Sequence, residues 1–549
     1  MIHYLRGQVL TALLGAFILI VLLGYLAYTT TTVTVPEAGG IYVEGLAGRP
    51  SSINPLLSQF NQVDVDLASL IFSGLTRSDL SGATVPDLAE RWEISPDGTR
   101  YTFYLRRGVR WHDGPPFTAD DVVFTIQAIQ APEFQGPPQL AQLWRAVTVE
   151  KIDNYAVAFI LPEPFSPFLS YTSLGLLPRH LLGGVPARDL PRNLFNVRPI
   201  GTGPFRLVEL SYDRAALEAF PPYYDQPPRL SRIEFRFYPD VSSVWAAYLR
   251  GEIQGVTQVR SEDLEEARRQ ENLVLYSAPT SGYALIFLNL IEPALREKEV
   301  RQALLWGIDR QRIIDQILEG QAIVAHSIYP PGSWAFNPDI PHYFYDPNQA
   351  RTLLEAAGWM DQDGDGVREK EGVPLEFSLL TNDDPLRRRI IEEIARQLWE
   401  IGIKVNTLVL GNPGIVQEAL APRRFMALLY EWGDLPADPD AYEMWHSTQT
   451  GEGGQNYPGW SNRDADEALE EARRTSDPAR RKELYDLFQR VFAEEVPAIL
   501  LYHPIYTYGV DARVGGVQLA PLTHPSDRFR TIAQWYVNVQ RVLVSEAED

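Results

Sequence analysis

The sequence predicts an α/β protein of several domain-sized units preceded by an N-terminal membrane helix. Three observations carry this. Short strand-like runs alternate with helical ones along most of the chain, the pattern of mixed α/β folds. The 549 residues exceed what one hydrophobic core organises, and length alone suggests roughly three or four domain-sized units. Val9 to Tyr28 is a run of 20 uncharged, mainly apolar residues.

At about 1.5 Å per residue that first run makes a helix of about 30 Å, the thickness of a bilayer core. Arg6 precedes it and no Lys or Arg follows until Arg49, so residues 1–8 are expected in the cytoplasm and the body outside. The run is longer than the core of an ordinary signal peptide, and Leu26-Ala27-Tyr28-Thr29 is a poor cleavage site. A retained transmembrane anchor over residues 9–28 is therefore expected, with a cleaved signal as the alternative. Residues 29–40, β-branched and then rich in Pro and Gly, read as a linker.

Farther along, Ser95-Pro96-Asp97-Gly98 is a tight turn, with Pro setting one dihedral and Gly supplying a positive one. Tyr101, Phe103 and Leu105 then alternate with polar neighbours, the period of a strand with one buried face. Thr118 and Asp121 form a capping box that opens a helix. Tyr283 to Leu290 is continuously apolar and suits a strand buried on both faces. Pro385 to Ile401 carries Ile390, Ile391, Ile394, Ala395, Leu398 and Ile401 on one helical stripe, with Gly402 as the stop. Asp477-Pro478 starts another helix by the cap-then-proline rule, burying Leu484, Leu487, Phe488, Val491 and Phe492.

Composition narrows function by exclusion. With 45% hydrophobic and 11% aromatic residues the chain is a packed globular protein. A formal charge of −22 argues against nucleic acid and anionic lipid as partners. There is no cysteine, which removes disulfides, thiolate nucleophiles and Cys-based zinc sites. No nucleophile elbow, zinc-protease helix or phosphate loop is present, so the chain is not expected to be an enzyme and no cofactor is implied. The acid pairs Asp120-Asp121 and Asp438-Asp440 would serve an anchored carboxylate-dependent hydrolase, though Asp121 already has a capping role. Asp361, Asp363 and Asp365 before Gly366 resemble the first half of a calcium loop, but position twelve is Gly372 where a Glu is required. A structural turn is the favoured reading there.

Beyond these local readings, the block Pro86 to Phe124, with its turn, strand, RxGVxWHDG loop and capped helix, resembles the signature of family 5 extracytoplasmic solute-binding proteins, the peptide- and nickel-type receptors of ABC importers. Ser52-Ile53-Asn54-Pro55-Leu56, Gly201-Thr202-Gly203-Pro204-Phe205, Val300 to Ile314, Ala350 to Trp359, Leu398 to Val405 and Trp432 to Tyr442 resemble further family words in the family's order. The resemblance implies a two-lobed periplasmic-binding-protein-like fold (class II, cluster C type). Lobe I would comprise residues 41–283 and 505–549 with a subdomain inserted at about 76–198, and lobe II residues 284–504. The strand from Tyr283 would be one of two crossing segments.

The same resemblance implies a monomeric receptor that captures a di- or oligopeptide by hinge closure and delivers it to an ABC permease. Oligosaccharide, opine or nickel-chelate ligands are alternatives within the class. In peptide-binding members an Asp after a Trp/Gly run pairs with the ligand's α-ammonium, and Asp434, after Trp432 and Gly433, matches that position. The following LPADPDAY is one residue longer than the commoner pattern. Gly45, Gln59, Phe60 and Asn61 lie where family members contact ligand from lobe I. Trp432, Tyr329 and Trp460 are candidates for flat apolar surface with a polar edge.

Overall fold

The strand Tyr283–Leu288 sends alternate side chains into two different cores, and every one of its residues is buried. Ala284, Ile286 and Leu288 join a core with Leu379, Ile390, Ile394 and Leu398. Tyr283, Leu285 and Phe287 join another with Trp445, Phe488 and Phe492. A strand covered by helices on both faces has no polar side to show, which explains its unbroken apolar run. The computed structural model describes residues 2–411, 414–433, 435, 436, 438 and 440–543, and the side chains of 2–12, 24 and 27–29 are outside that description.

A 12-stranded sheet forms the spine of the molecule. The strand Ala498–Asp511 runs through its middle and belongs to both halves. Its first part pairs antiparallel with Tyr283–Leu288 and Ala322–Val324. Its second part pairs with Leu273–Pro279 and Gly255–Val256. Beyond Gly255–Val256 the sheet continues through Ile41–Ala47, Arg232–Tyr238, Arg214–Ala219 and Phe205–Leu210. That half packs on its own core, which includes Leu46, Leu67, Phe235, Tyr508 and Trp535. Two lobes with separate cores are thus joined by two crossings, around Thr280–Gly282 and around His503–Ile505.

A separate four-stranded sheet, ordered Ala89–Ile94, Arg100–Leu105, Ala156–Ile160 and Thr148–Asp153, is set into the first lobe and shares its core. Its chemistry follows the local sequence. Gly98 sits at φ +70° and its N–H donates to the Ser95 carbonyl at 2.8 Å, closing the turn. Tyr101, Phe103 and Leu105 are buried in alternation. At the helix Ala119–Gln130, Asp121 Oδ2 accepts from the Thr118 N–H at 2.9 Å, while Oδ1 accepts from the Arg179 N–H. The helices Pro385–Trp399 and Pro478–Glu495 begin under the carboxylates of Asp384 and Asp477.

One buried ionic cluster ties the C-terminal segment to the first lobe. Arg528, fully buried, donates from Nη2 to Glu44 Oε1 and to Asp66 Oδ2, each at 2.7 Å. Glu44 Oε2 in turn accepts from the hydroxyls of Tyr42 and Tyr508. Sealed from water, each charge depends on the others for its hydrogen bonds.

At the N-terminus the structure corrects two expectations. The chain forms a helix over Ile2–Thr31, but among the described residues no helix is long and apolar enough to cross a membrane. Within the 9–28 span the side chains of residues 9–12, 24, 27 and 28 lie outside the description. A transmembrane anchor, membrane attachment through this helix, and a place at the cell membrane held by it are not upheld. The linker is also more ordered than expected. Thr32–Glu37 is a strand paired antiparallel with Asn538–Leu543, Thr32 opposite Leu543 and Glu37 opposite Asn538.

Candidate functional site

The crossings bring segments from both lobes around one pocket. The chain after Ala322–Val324 contributes Ile328, Tyr329, Pro330 and Ser333, and the loop after the strand Ala427–Trp432 contributes Leu435, Pro436, Asp438 and Asp440. Met444 comes from the next short helix, Ser281 from a crossing, Pro521–Thr523 from the C-terminal segment, and Ser81 from the turn between Thr76–Ser78 and Thr84–Pro86. The free space is about 600 Å³ with its open mouth included.

Backbone stitches hold these pieces in register. The Ser281 N–H donates to the Leu522 carbonyl at 2.7 Å, and its hydroxyl donates to the Leu435 carbonyl at 2.9 Å. The Leu522 N–H donates to the Pro279 carbonyl at 3.1 Å. His503, fully buried beside the crossing, faces the Gly282 carbonyl with Nδ1 at 2.9 Å and the Ser327 carbonyl with Nε2 at 3.0 Å. Burial pushes its pKa down to about 4, although both carbonyls pull the other way.

The pocket's two acids are already committed. Asp438 takes a bidentate pair from Arg481, Nη1 at 2.7 Å and Nη2 at 2.6 Å. Asp440 accepts from Arg473 Nε at 2.7 Å, and the same guanidinium reaches Glu443 at 3.0 Å. Burial raises the Asp440 pKa while Arg473 opposes the rise. A carboxylate fixed on an arginine is a poor proton shuttle, so this pair does not make a hydrolytic centre. The other pair is spent too, Asp120 on Lys151 at 3.0 Å and Asp121 on its helix cap.

The lobes meet again at Ser166. The Ser166 N–H, in the inserted part of the first lobe, donates to the Arg473 carbonyl at 2.7 Å, and the Ser166 hydroxyl donates to the Thr475 carbonyl. The Arg473 guanidinium lies 5.2 Å from the Phe165 ring centre. Arg473 touches the pocket loop with one end and the opposite lobe with the other.

Of the residues singled out from sequence, Tyr329 lines the pocket. Its hydroxyl is buried and has no hydrogen-bond partner among the described residues. Trp432 closes its strand with its ring stacked on Tyr457, centroids 6.3 Å apart at 17°, and its buried indole N–H has no hydrogen-bond partner among the described residues. Gly433 is exposed beside it, and Asp434 lies outside the described residues. Trp460 is core, edge-on to Phe492 at 5.8 Å. Gly45 serves packing, since a Cβ there would stand 2.6 Å from Ile253 Cδ1. Gln59 and Phe60 are exposed, Phe60 at 72%. Asn61 caps the helix Gln62–Ile71, accepting from the Val63 N–H at 3.0 Å and donating to the Arg49 carbonyl at 2.7 Å.

The pocket residues that the sequence reading missed include Ile328, Pro330 and Ser333 beside Tyr329, and farther away Ser81, Ser281, Met444 and Pro521–Thr523. They reach it only because the chain crosses between lobes, and no local pattern marks them. At the calcium-like loop, Asp361 accepts from the Gly364 and Gly366 N–H groups, Asp363 from Asp365 and Asp365 from Val367. Oxygens of Asp361, Asp363 and Glu369 lie within 4.8 Å of one another. The Asp361, Asp363 and Asp365 carboxylates thus close the turn, and Glu369 joins them by accepting from the Gln362 N–H.

The family model for bacterial extracellular solute-binding proteins, family 5 Middle, matches residues 83–454. The oligopeptide-binding protein AppA of Bacillus subtilis is 31% identical over 511 residues, covering 91% of this chain and 92% of the relative. The dipeptide-binding protein of Escherichia coli is 28% identical, covering 86% and 91%. Among solved structures, AppA from Bacillus subtilis in complex with a nonapeptide superposes with a TM-score of 0.67 over 92% of this chain and all of that one, at 31% identity. NikZ from Campylobacter jejuni in complex with Ni(L-His) superposes with a TM-score of 0.69 over 90% and 99%, at 29% identity.

Proposed function

The chain belongs to the bacterial extracellular solute-binding proteins of family 5, and from that premise we infer that it is an extracytoplasmic receptor that captures peptides between its lobes and delivers them to an ABC permease. It binds and does not catalyse. The observation that carries the reading is the pocket assembled from both lobes at the crossings, with the lobes joined again between Ser166 and Arg473. A ligand touching both lobes favours the closed state by its differential affinity for it, and hinge motion at the two crossings supplies the exchange.

Two relatives named for peptide binding support peptides over other solutes. Asp434 is the group we assign to the ligand's α-ammonium. The other acids of its loop, Asp438 and Asp440, are held by arginines, so neither is available for that charge. An ammonium taken out of water needs such a partner. The lobe boundaries near 283 and 505, and a monomeric receptor, belong to the same reading.

The test is thermal unfolding with di-, tri- and oligopeptides, Ni(L-His) and cello-oligosaccharides offered separately. A ligand at about 100 times its dissociation constant stabilises by about 2.7 kcal/mol. Stabilisation by peptides alone is expected. A shift with the nickel chelate or the sugars and none with peptides would overturn the assignment.

A further inference from the structure

Resting on the peptide reading, we propose that Ser281 is a positioning residue for ligand capture, its hydroxyl tying the pocket loop of the second lobe to the hinge. The place of Ser281, the two bonds it makes and the scarcity of other fastenings on that loop carry the proposal.

Ser281 stands on the crossing between Leu273–Pro279 of the first lobe and Tyr283–Leu288 of the second. Its neighbours on both sides are pinned to the other crossing. The Thr280 N–H donates to the Pro504 carbonyl at 2.9 Å, and the Gly282 carbonyl faces His503 Nδ1 at 2.9 Å. Any rotation about the crossings therefore carries the Ser281 hydroxyl with it.

The residue holds one pocket wall from each lobe. Its backbone N–H donates to the carbonyl of Leu522, a member of the first lobe's core, at 2.7 Å. Its hydroxyl donates to the carbonyl of Leu435, which packs on a core of the second lobe, at 2.9 Å. Both leucines line the pocket. The first bond belongs to the main chain and survives any ordinary substitution of Ser281, whereas the second depends on the side chain alone.

Little else fixes the near end of the loop. Its far end is fastened within the second lobe, Asp438 to Arg481 and Asp440 to Arg473. The near end starts at Gly433, which is exposed and has nothing within 4 Å of where a side chain would stand, so no side-chain packing holds it. Among the described residues 433, 435 and 436, the bond from Ser281 to Leu435 is the one hydrogen bond to the rest of the protein. A bond shared by hinge and loop couples the two. A ligand that orders the loop restrains the hinge, and the hinge in turn pre-orders the loop for the ligand.

The experiment uses the whole protein with trialanine and pentaalanine. Ser281→Ala deletes the hydroxyl and is expected to weaken both peptides about five- to tenfold in calorimetric titration, the worth of one half-buried hydrogen bond. Without ligand, the same variant is expected to exchange its amide hydrogens faster over residues 427–440, with the helices of the second lobe unchanged. Ser281→Thr keeps the hydroxyl and is expected to restore both readings, and the ligand-free melting temperature checks the folding of each variant. Wild-type affinity in Ser281→Ala, exchange over 427–440 that the substitution leaves unaltered, or equal losses in an Ala and a Thr variant that melt like wild type would each overturn the positioning role and leave peptide capture standing. Binding of neither peptide by the wild type overturns the peptide reading, and the positioning role with it.

Discussion

His112 Nε2 lies 2.9 Å from the Gly203 carbonyl oxygen, and Nδ1 accepts from the Gly201 N–H at 3.3 Å. One nitrogen must donate and the other must accept, so the ring is neutral with its proton on Nε2. The RxGVxWHDG loop and the Gly-Thr-Gly-Pro turn, 89 to 91 residues apart, are thereby locked together. The histidine's role here is structural.

That bond sets a pH dependence. Burial pushes the His112 pKa from 6.5 down to about 4, and does the same to His503. The unfolded chain takes up a proton that the fold refuses, so stability is fully present above 6.5 and falls as pH drops toward 4. Between pH 7.5 and 5 each histidine should account for a loss of about 2 kcal/mol. Asp87, raised by burial to about 6, acts in the opposite sense over part of that window, so a single-variant comparison is needed. Urea unfolding of wild type and His112→Gln at the two pH values should show the variant less pH-sensitive by about that amount. Parallel pH profiles would contradict it.

The buried cluster at Arg528 predicts a second asymmetry. Arg528→Met leaves Glu44 and Asp66 buried without their cation, which should cost about 3 to 5 kcal/mol. Adding Glu44→Gln and Asp66→Asn removes the stranded charges and should recover much of that loss. Denaturant midpoints of the single and triple variants decide it, and a triple variant no more stable than the single one would show that the charges are not the cause.

Arg473 joins the pocket loop to the opposite lobe through Asp440 on one side and Phe165 on the other. Arg473→Gln should therefore shift the ligand-free population toward open and weaken peptide binding about tenfold through the reduced closed fraction. Small-angle scattering with and without peptide reads the two states. An affinity loss with no change in either scattering profile would place the effect in the pocket itself.

Much of the scaffold was legible because local chemistry dictates it. The Ser95–Gly98 turn, the alternation of Tyr101, Phe103 and Leu105, and the caps at Thr118 and Asp477 each need only neighbouring residues. The site was less so. Tyr329 and Trp460 carry the same signal in sequence, a large aromatic near a strand or turn, yet one lines the pocket and the other packs on Phe492. Ser281 and Leu522 meet through a bond between residues far apart in the chain, set by the crossing of strands and not by any spacing. The N-terminal run misled because apolar length was read as span, whereas among the described residues no helix is long and apolar enough to cross a membrane.

The assignment of Asp434 to the ligand's amino terminus makes the sharpest functional prediction. Stranding a desolvated ammonium by Asp434→Asn should cost about 2 to 5 kcal/mol of binding, or roughly 30-fold or more in affinity. The same peptide with an acetylated amino group has no charge to pair, so its affinity for wild type should be low and should change little in the variant. Because the substitution preserves size, the melting temperature without ligand serves as a control for folding. Titration of both proteins with both peptides forms a complete cycle, and its coupling energy is the worth of the pair. A cycle that closes to zero, with free and acetylated peptides equally affected, would leave peptide capture intact and move recognition of the amino terminus to another group.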